Sequence, residues 1–262
     1  MLKISELYVY PVKSLGRIEL QSATLSETGF EYDRYWMLAD KNGKHITQRE
    51  EPKLALFQVA LSQDSLLVTY KESSINIQLE NPTLKEPILV SVFKEKVEAI
   101  KEEQVVNDWF SDRLGKEVYL VRQLSTAKRW VKQNNDARIL FQDGAQYLIV
   151  GDSSLDDLNS KLPSPIKMNR FRPNIVFTGG SPFIEDQWKK IRINDSTFEI
   201  TKSCARCTVT TVNQETGEKG EEPLKTLSQY RLSERKIWFG RYLKLVDSKD
   251  FTIAVGDEIN VM

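Results

Sequence analysis

The chain has 262 residues, with 37 basic and 37 acidic side chains, one histidine and two cysteines, and 40% of its residues are hydrophobic. That length supports one large or two ordinary domains with real cores, and two barrels sharing an interface would fit it. Balanced charge without a long basic tract argues against nucleic acid as a partner; no apolar run approaches the roughly 18 residues of a membrane span, and two cysteines imply no disulfide framework, in keeping with a soluble protein of the reducing cytoplasm.

From the N-terminus, Met1 to Leu7 is too polar for a secretory signal. Ile4 to Tyr10 has strand chemistry and is stopped by Pro11, after which Val12-Lys13-Ser14-Leu15-Gly16 reads as a loop. Short β-branched and aromatic runs follow at Ile18 to Leu25, Arg34 to Ala39, Leu54 to Leu61, Ser65 to Tyr70, Ile75 to Leu79 and Ile88 to Val92. Within Lys41-Asn42-Gly43-Lys44, the Asn-Gly pair predicts a type I′ hairpin turn. Between Glu102 and Leu114 the period changes, with Val105, Val106, Trp109, Phe110 and Arg113 at helical spacing. A second helix is expected from Ser153 to Leu162, capped by Asp152 or Ser153 and striped by Leu155, Leu158 and Leu162.

Strands return after Pro173, at Ile175 to Thr178, Trp188 to Ile193, Phe198 to Thr201, Thr208 to Val212 and Tyr242 to Val246. Pro223 to Tyr230 has helical spacing, and Val255 to Ile259 reads as a turn into a last strand. The expected fold class is mainly β with some helices (α+β), as a barrel or sandwich, with a domain boundary near residue 100 that gives domains 1–100 and 101–262.

Cys204-Ala205-Arg206-Cys207 holds both cysteines. A thiolate is the nucleophilic and metal-binding form of cysteine, and the adjacent Arg206 guanidinium lowers the cost of ionising it. The plain alternative is a small buried hydrophobe. A redox pair would open a helix, whereas Thr208 to Val212 reads as a strand, so disulfide exchange is disfavoured. Closed zinc sites need four N or S ligands, and His45 is the only histidine. His45 itself reads as structural or exposed, and Trp36, Trp109, Trp130, Trp188 and Trp238 as core or interface packing. The basic stretch Lys128-Arg129-Trp130-Val131-Lys132 reads as a solvated loop, or else a docking surface for an acidic electron donor.

Four motifs stand in order: Tyr10-Pro11-Val12-Lys13-Ser14, Asp33-Arg34-Tyr35-Trp36, Asn169-Arg170-Phe171-Arg172-Pro173-Asn174-Ile175-Val176 and the cysteine motif. Together they resemble the MOSC family with its N-terminal β-barrel domain, and within it the mitochondrial amidoxime-reducing components and their bacterial relatives. The resemblance implies a 1–100 barrel packed against a MOSC β-barrel domain over 101–262, with molybdenum cofactor (Mo-molybdopterin) at their interface. It also implies reduction of N-hydroxylated small molecules: amidoximes, hydroxylamines and N-hydroxylated bases.

By the same resemblance Cys207 is the molybdenum ligand, and Cys204 lacks that role. Lys13, Ser14, Arg34, Arg172, Asn174, Ala205, Arg206 and Tyr242 hold the cofactor, as do Gly144 and Ala145 through backbone groups where relatives carry hydroxyl residues. Asp143 is then a proton donor with a raised pKa, or an Asx-turn residue before Gly144. A plant-type iron–sulfur cluster needs four cysteines. Some bacterial relatives carry such a domain fused at the C-terminus, but this chain ends at Met262. An external donor is therefore expected: a ferredoxin-like, flavin or cytochrome protein. Two alternatives stay open, a sulfur carrier using a Cys207 persulfide and a carrier or store of molybdenum cofactor.

Overall fold

The structure is a computed structural model describing residues 1–80, 86–124, 129–131, 137–249 and 251–262. Among these the chain is mainly β, with three α-helices at Gln104–Leu114, Asp152–Asn159 and Leu224–Tyr230. None is long and apolar enough to cross a membrane.

The largest sheet has nine strands. Across it run Ile259–Val261, Lys190–Ile193, Ser196–Ala205, Lys236–Ser248, Tyr147–Gly151, Ile175–Thr178, Lys3–Val9 and Ile18–Leu20, with Leu232–Ser233 on Lys236–Ser248. Tyr147–Gly151 and Ile175–Thr178 are parallel, and the helix Asp152–Asn159 belongs to the crossover that such a pair requires. Lys3–Val9 lies antiparallel to Ile175–Thr178, Leu7 opposite Ile175, so the N-terminal strand is built into the sheet of the second half. A four-stranded sheet joins Trp36–Asp40, Val118–Gln123, Glu95–Lys101 and Ile88–Val92, and two three-stranded sheets complete the β structure.

Three apolar clusters support the site. Trp36, Phe57, Phe110 and Leu120 centre the first, which takes Val106 and Trp109 from the helix Gln104–Leu114. Ile4, Tyr147, Phe177, Ile191 and Phe198 form the second against the large sheet. The third, with Tyr8, Tyr10, Phe171, Cys204 and Phe239, forms part of the cleft's support. Trp36 is fully buried, and its indole N–H donates to Glu102 (2.7 Å), whose carboxylate also takes Arg122 Nε (2.5 Å).

Several local expectations are corrected. Leu54 to Leu61 is not one strand: Pro52 opens a 3₁₀ turn, Pro52–Leu56, where its fixed φ and missing N–H suit the first helical position, and the strand is Gln58–Leu61. Trp188 to Ile193 likewise begins only at Lys190, after a 3₁₀ turn at Ile184–Gln187. Thr208 to Val212 is a 3₁₀ turn, Thr208–Thr211, because Thr210 and Thr211 hydroxyls donate to the carbonyls of Cys207 and Thr208 (both 2.9 Å) and close the backbone that β-branching would have extended. Neither Asp152 nor Ser153 caps its helix. The cap position is Gly151, Asp152 opens the first turn where its charge suits the helix dipole, and the helix ends at Asn159. Only Gly43 of the Asn-Gly pair has positive φ (74°), and Asp40 Oδ1 accepts the Asn42 and Lys44 amides, so the turn is not type I′.

Val105 sits at helical spacing yet is 64% exposed, whereas Phe110 is fully buried. Phe110→Ala should therefore destabilise the fold by about 3–5 kcal/mol, and Val105→Ala by no more than about 0.5 kcal/mol. Urea denaturation of both variants checks this; comparable losses would contradict the burial assigned to the helix.

Candidate functional site

The loop after the first strand is held by Lys13 N donating to the Trp36 carbonyl (2.8 Å), and Ser14 beyond it has φ 71°. Lys13 Nζ turns inward, donating to the Phe141 carbonyl (2.8 Å) and pairing with Asp143. Asp33 is fully buried: it accepts Tyr10 N (3.0 Å) and takes Arg34 Nη1 on both oxygens (2.7 and 2.6 Å). Arg34, at φ 50°, also reaches Asn174 Oδ1 and the Arg172 carbonyl (both 3.3 Å). Asn174 continues to the Tyr8 carbonyl (3.2 Å) and the Leu148 amide (3.3 Å). The Tyr10 ring carries the guanidinium groups of Arg34 and Arg172 at 4.3 and 4.2 Å.

The strand Ser196–Ala205 delivers the cysteines. Cys204 is 2% exposed, and burial pushes its thiol up despite Arg206 and a hydrogen bond with Tyr242. Arg206 is fixed by the carbonyls of Phe239 and Phe171 (both 2.8 Å). Gly240 makes room beside it: at φ 77° it bears no Cβ, which would lie 2.7 Å from Val150 Cγ2 and 3.3 Å from Arg206 Nη2. Cys207 follows, half-buried, and the guanidinium hydrogen-bonded to its sulfur belongs to Arg49, whose Nε lies 3.4 Å from Sγ. Arg206, the guanidinium that the sequence places next to that sulfur, has two of its arms committed to backbone carbonyls.

These segments enclose one cleft, lined by Lys13, Ser14, Arg34, Asp143, Ala145, Arg172, Asn174, Ala205, Arg206, Cys207 and Tyr242. Gly144 is not among the lining residues; a Cβ there would sit 3.4 Å from the Tyr242 ring. Sequence reasoning missed Arg49, Thr47, Gln142 and Arg170, which also line the cleft. Arg170 lay inside a quoted motif, while Arg49 had no local signal.

Among the described residues, six cationic side chains, Lys13, Arg34, Arg49, Arg170, Arg172 and Arg206, thus line the cleft with one carboxylate, Asp143. Nη2 of both Arg172 and Arg206 is buried without a hydrogen-bond partner. Burial, with Arg34 alongside, pushes Arg172 down to about 10. Such a concentration of positive charge calls for an anion with many acceptor oxygens, so these residues fit a phosphate-bearing group, and the Cys207 sulfur is a soft donor of the type that suits a metal.

The raised pKa expected for Asp143 is overturned. Desolvation in the cleft opposes its ionisation, but Lys13's charge and hydrogen bond, then Arg49 and Arg34, hold the carboxyl well below the usual carboxylate range. Lys13 is lowered, chiefly by burial. Within the basic stretch, Arg129 is buried and bonded to Glu95, Leu140 and Gln142, so it is structural rather than a docking charge, while Lys128 and Lys132 lie outside the described residues. His45 is buried against Phe93.

Comparison with known proteins places two domain families on the chain: "MOSC N-terminal beta barrel domain" matches residues 1–117 and "MOSC domain" matches residues 136–260. The human mitochondrial amidoxime-reducing component 1 is 30% identical over 284 residues, covering 99% of this chain and 82% of that protein. Molybdenum cofactor sulfurase of rice (Oryza sativa subsp. japonica) is 30% identical over 287 residues, covering 96% of this chain, which spans only 34% of the sulfurase. Among solved structures, the YuaD protein of Bacillus subtilis superposes with a TM-score of 0.40 at 11% identity, covering 99% of this chain and 94% of that one.

A carboxylate held below its unfolded pKa stabilises the fold above that pKa, near 4, and the stabilisation is lost as pH falls toward the folded pKa. Wild type should therefore melt higher than Asp143→Asn at neutral pH, with the gap narrowing below about pH 4. Thermal melts across pH check this; a gap unchanged into strong acid would contradict the Lys13–Asp143 pairing.

Proposed function

The chain belongs to the MOSC domain family, with a MOSC domain behind a MOSC N-terminal β-barrel domain, and on that premise we propose that it binds molybdenum cofactor in this cleft and reduces small N-hydroxylated compounds. The observation that carries the reading is the cleft's charge: six cations to one carboxylate in a chain of zero net charge, with a half-buried cysteine in the wall. Molybdenum cofactor, when bound, supplies the two-electron change that N–O cleavage requires. Two electrons and two protons convert the N–OH compound to its N–H counterpart and water. The electrons come from a ferredoxin-like, flavin or cytochrome donor.

In this reading Cys207 is the protein ligand to the metal. Arg49 fixes the sulfur through its N–H···S contact and sets a positive charge beside it. Arg172 and Arg206 offer their unpartnered Nη2 groups, and Lys13 and Arg34 their charge, to the cofactor's phosphate. With Asp143 ionised, the proton that the pair can release sits on Lys13 Nζ, where burial weakens its hold.

The likeness to the sulfurases favours a second reading, in which Cys207 carries sulfur as a persulfide. The two separate on purified protein from a host that makes molybdopterin. A reductase holds stoichiometric molybdenum and turns over benzamidoxime with a supplied reductant, whereas a sulfur carrier releases cyanide-labile sulfur and holds no stoichiometric metal.

Cys207→Ser should abolish both molybdenum retention and turnover, and Cys204→Ser should leave both within a few-fold. Retained turnover in Cys207→Ser would overturn the ligand assignment. Arg172→Ala removes a charge-assisted contact of about 1.5–3 kcal/mol, which corresponds to roughly 10- to 150-fold weaker cofactor retention. Unchanged metal content after extensive dialysis would count against the cationic cradle.

A further inference from the structure

Phe93 is an aromatic residue in a place built for glycine. The strands Ile88–Val92 and Glu95–Lys101 pair with Val92 opposite Glu95, so Phe93 and Lys94 alone form the hairpin loop. Phe93 has φ 57°, a left-handed conformation that glycine or asparagine takes readily and a bulky side chain does not. Its ring is not core packing, being 40% exposed. It is nevertheless fixed: the ring meets His45 edge-on at 4.8 Å, and Phe93 N donates to His45 Nδ1 (3.3 Å). Lys13 Nζ and Arg49 Cζ lie 5.4 and 5.3 Å from the ring centroid. Both cations line the cleft, and Arg49 Nε touches Cys207 Sγ at 3.4 Å. A braced, partly exposed ring therefore stands one guanidinium away from the cysteine sulfur.

We propose that Phe93 is a stacking platform beside the cleft, next to its lining residues Lys13 and Arg49, which favours flat aromatic N-hydroxylated substrates, such as arylamidoximes and N-hydroxylated bases, over small aliphatic ones. This rests on the reductase reading for the identity of the substrate's N–OH group. An offset ring pair against Phe93 holds the aromatic body of the substrate while its N–OH group points into the cleft. His45 is a positioning residue for the platform, since it holds both the ring and the amide of Phe93.

The test is equilibrium binding without reductant, using cofactor-loaded protein, benzamidoxime and acetamidoxime as probes, and Phe93→Ala, Phe93→Gly and Phe93→Tyr as variants. Benzamidoxime should bind roughly tenfold more weakly to the Ala and Gly variants and at near wild-type strength to the Tyr variant, with acetamidoxime unchanged throughout. Phe93→Gly should melt at or above the wild-type temperature, because glycine relieves the strained φ. The platform is overturned if benzamidoxime affinity does not depend on Phe93, or if Phe93→Gly lowers the melting temperature and weakens both probes equally, as loss of a structural brace would. Adding reductant separates the two claims. Phe93-dependent binding without turnover sinks the reductase reading and keeps the platform; turnover of both probes with no dependence on Phe93 does the reverse.

Discussion

Asp33 has no access to water, and its two oxygens are answered by one guanidinium and one backbone amide, those of Arg34 and Tyr10. A buried carboxylate is tolerated only when its charge and lone pairs are met, and removing its partner leaves a penalty of about 3–5 kcal/mol. That demand ties down the start of the Lys13 loop through Tyr10 and turns Arg34 toward Asn174 and the Arg172 carbonyl. Asn174 passes the constraint to Tyr8 and Leu148, on the two strands that flank Ile175–Thr178 in the large sheet. Segments far apart along the chain are thereby held around one space before any ligand enters it.

The same region concentrates backbone strain. Ser14, Arg34 and Arg172 line the cleft in the left-handed conformation, and Phe93 stands beside it in the same state. Each such non-glycine residue costs on the order of 1–3 kcal/mol. Six cations crowded together add repulsion that the folded protein meets only in part, through Asp33, Asp143 and backbone carbonyls. An anionic cofactor would relieve that repulsion, so occupancy and stability should rise together.

Where alternation and composition decide structure, the sequence was readable: Ser65–Tyr70, Ile88–Val92 and Ile175–Thr178 have the bounds their residues suggested. It was unreadable where a competing local term won. Pro52 diverted Leu54 from a strand, and threonine hydroxyls folded Thr208–Thr211 back on itself. At the cleft, the motifs flagged Lys13, Arg34, Arg172 and Arg206, which one space gathers. The contact between Arg49 and Cys207 was invisible because it joins residues 158 positions apart with no motif at one end. Asp143 was misread for the same reason: the lysine that keeps it ionised lies 130 positions away.

The account turns on whether Cys207 binds the metal directly. X-ray absorption at the molybdenum edge, recorded on protein loaded to full occupancy, tests this without reference to any substrate. The account predicts one sulfur neighbour beyond the pair that the cofactor's enedithiolate provides, and its loss in the serine variant at position 207. A sulfur shell holding the enedithiolate pair alone in wild-type protein would contradict it.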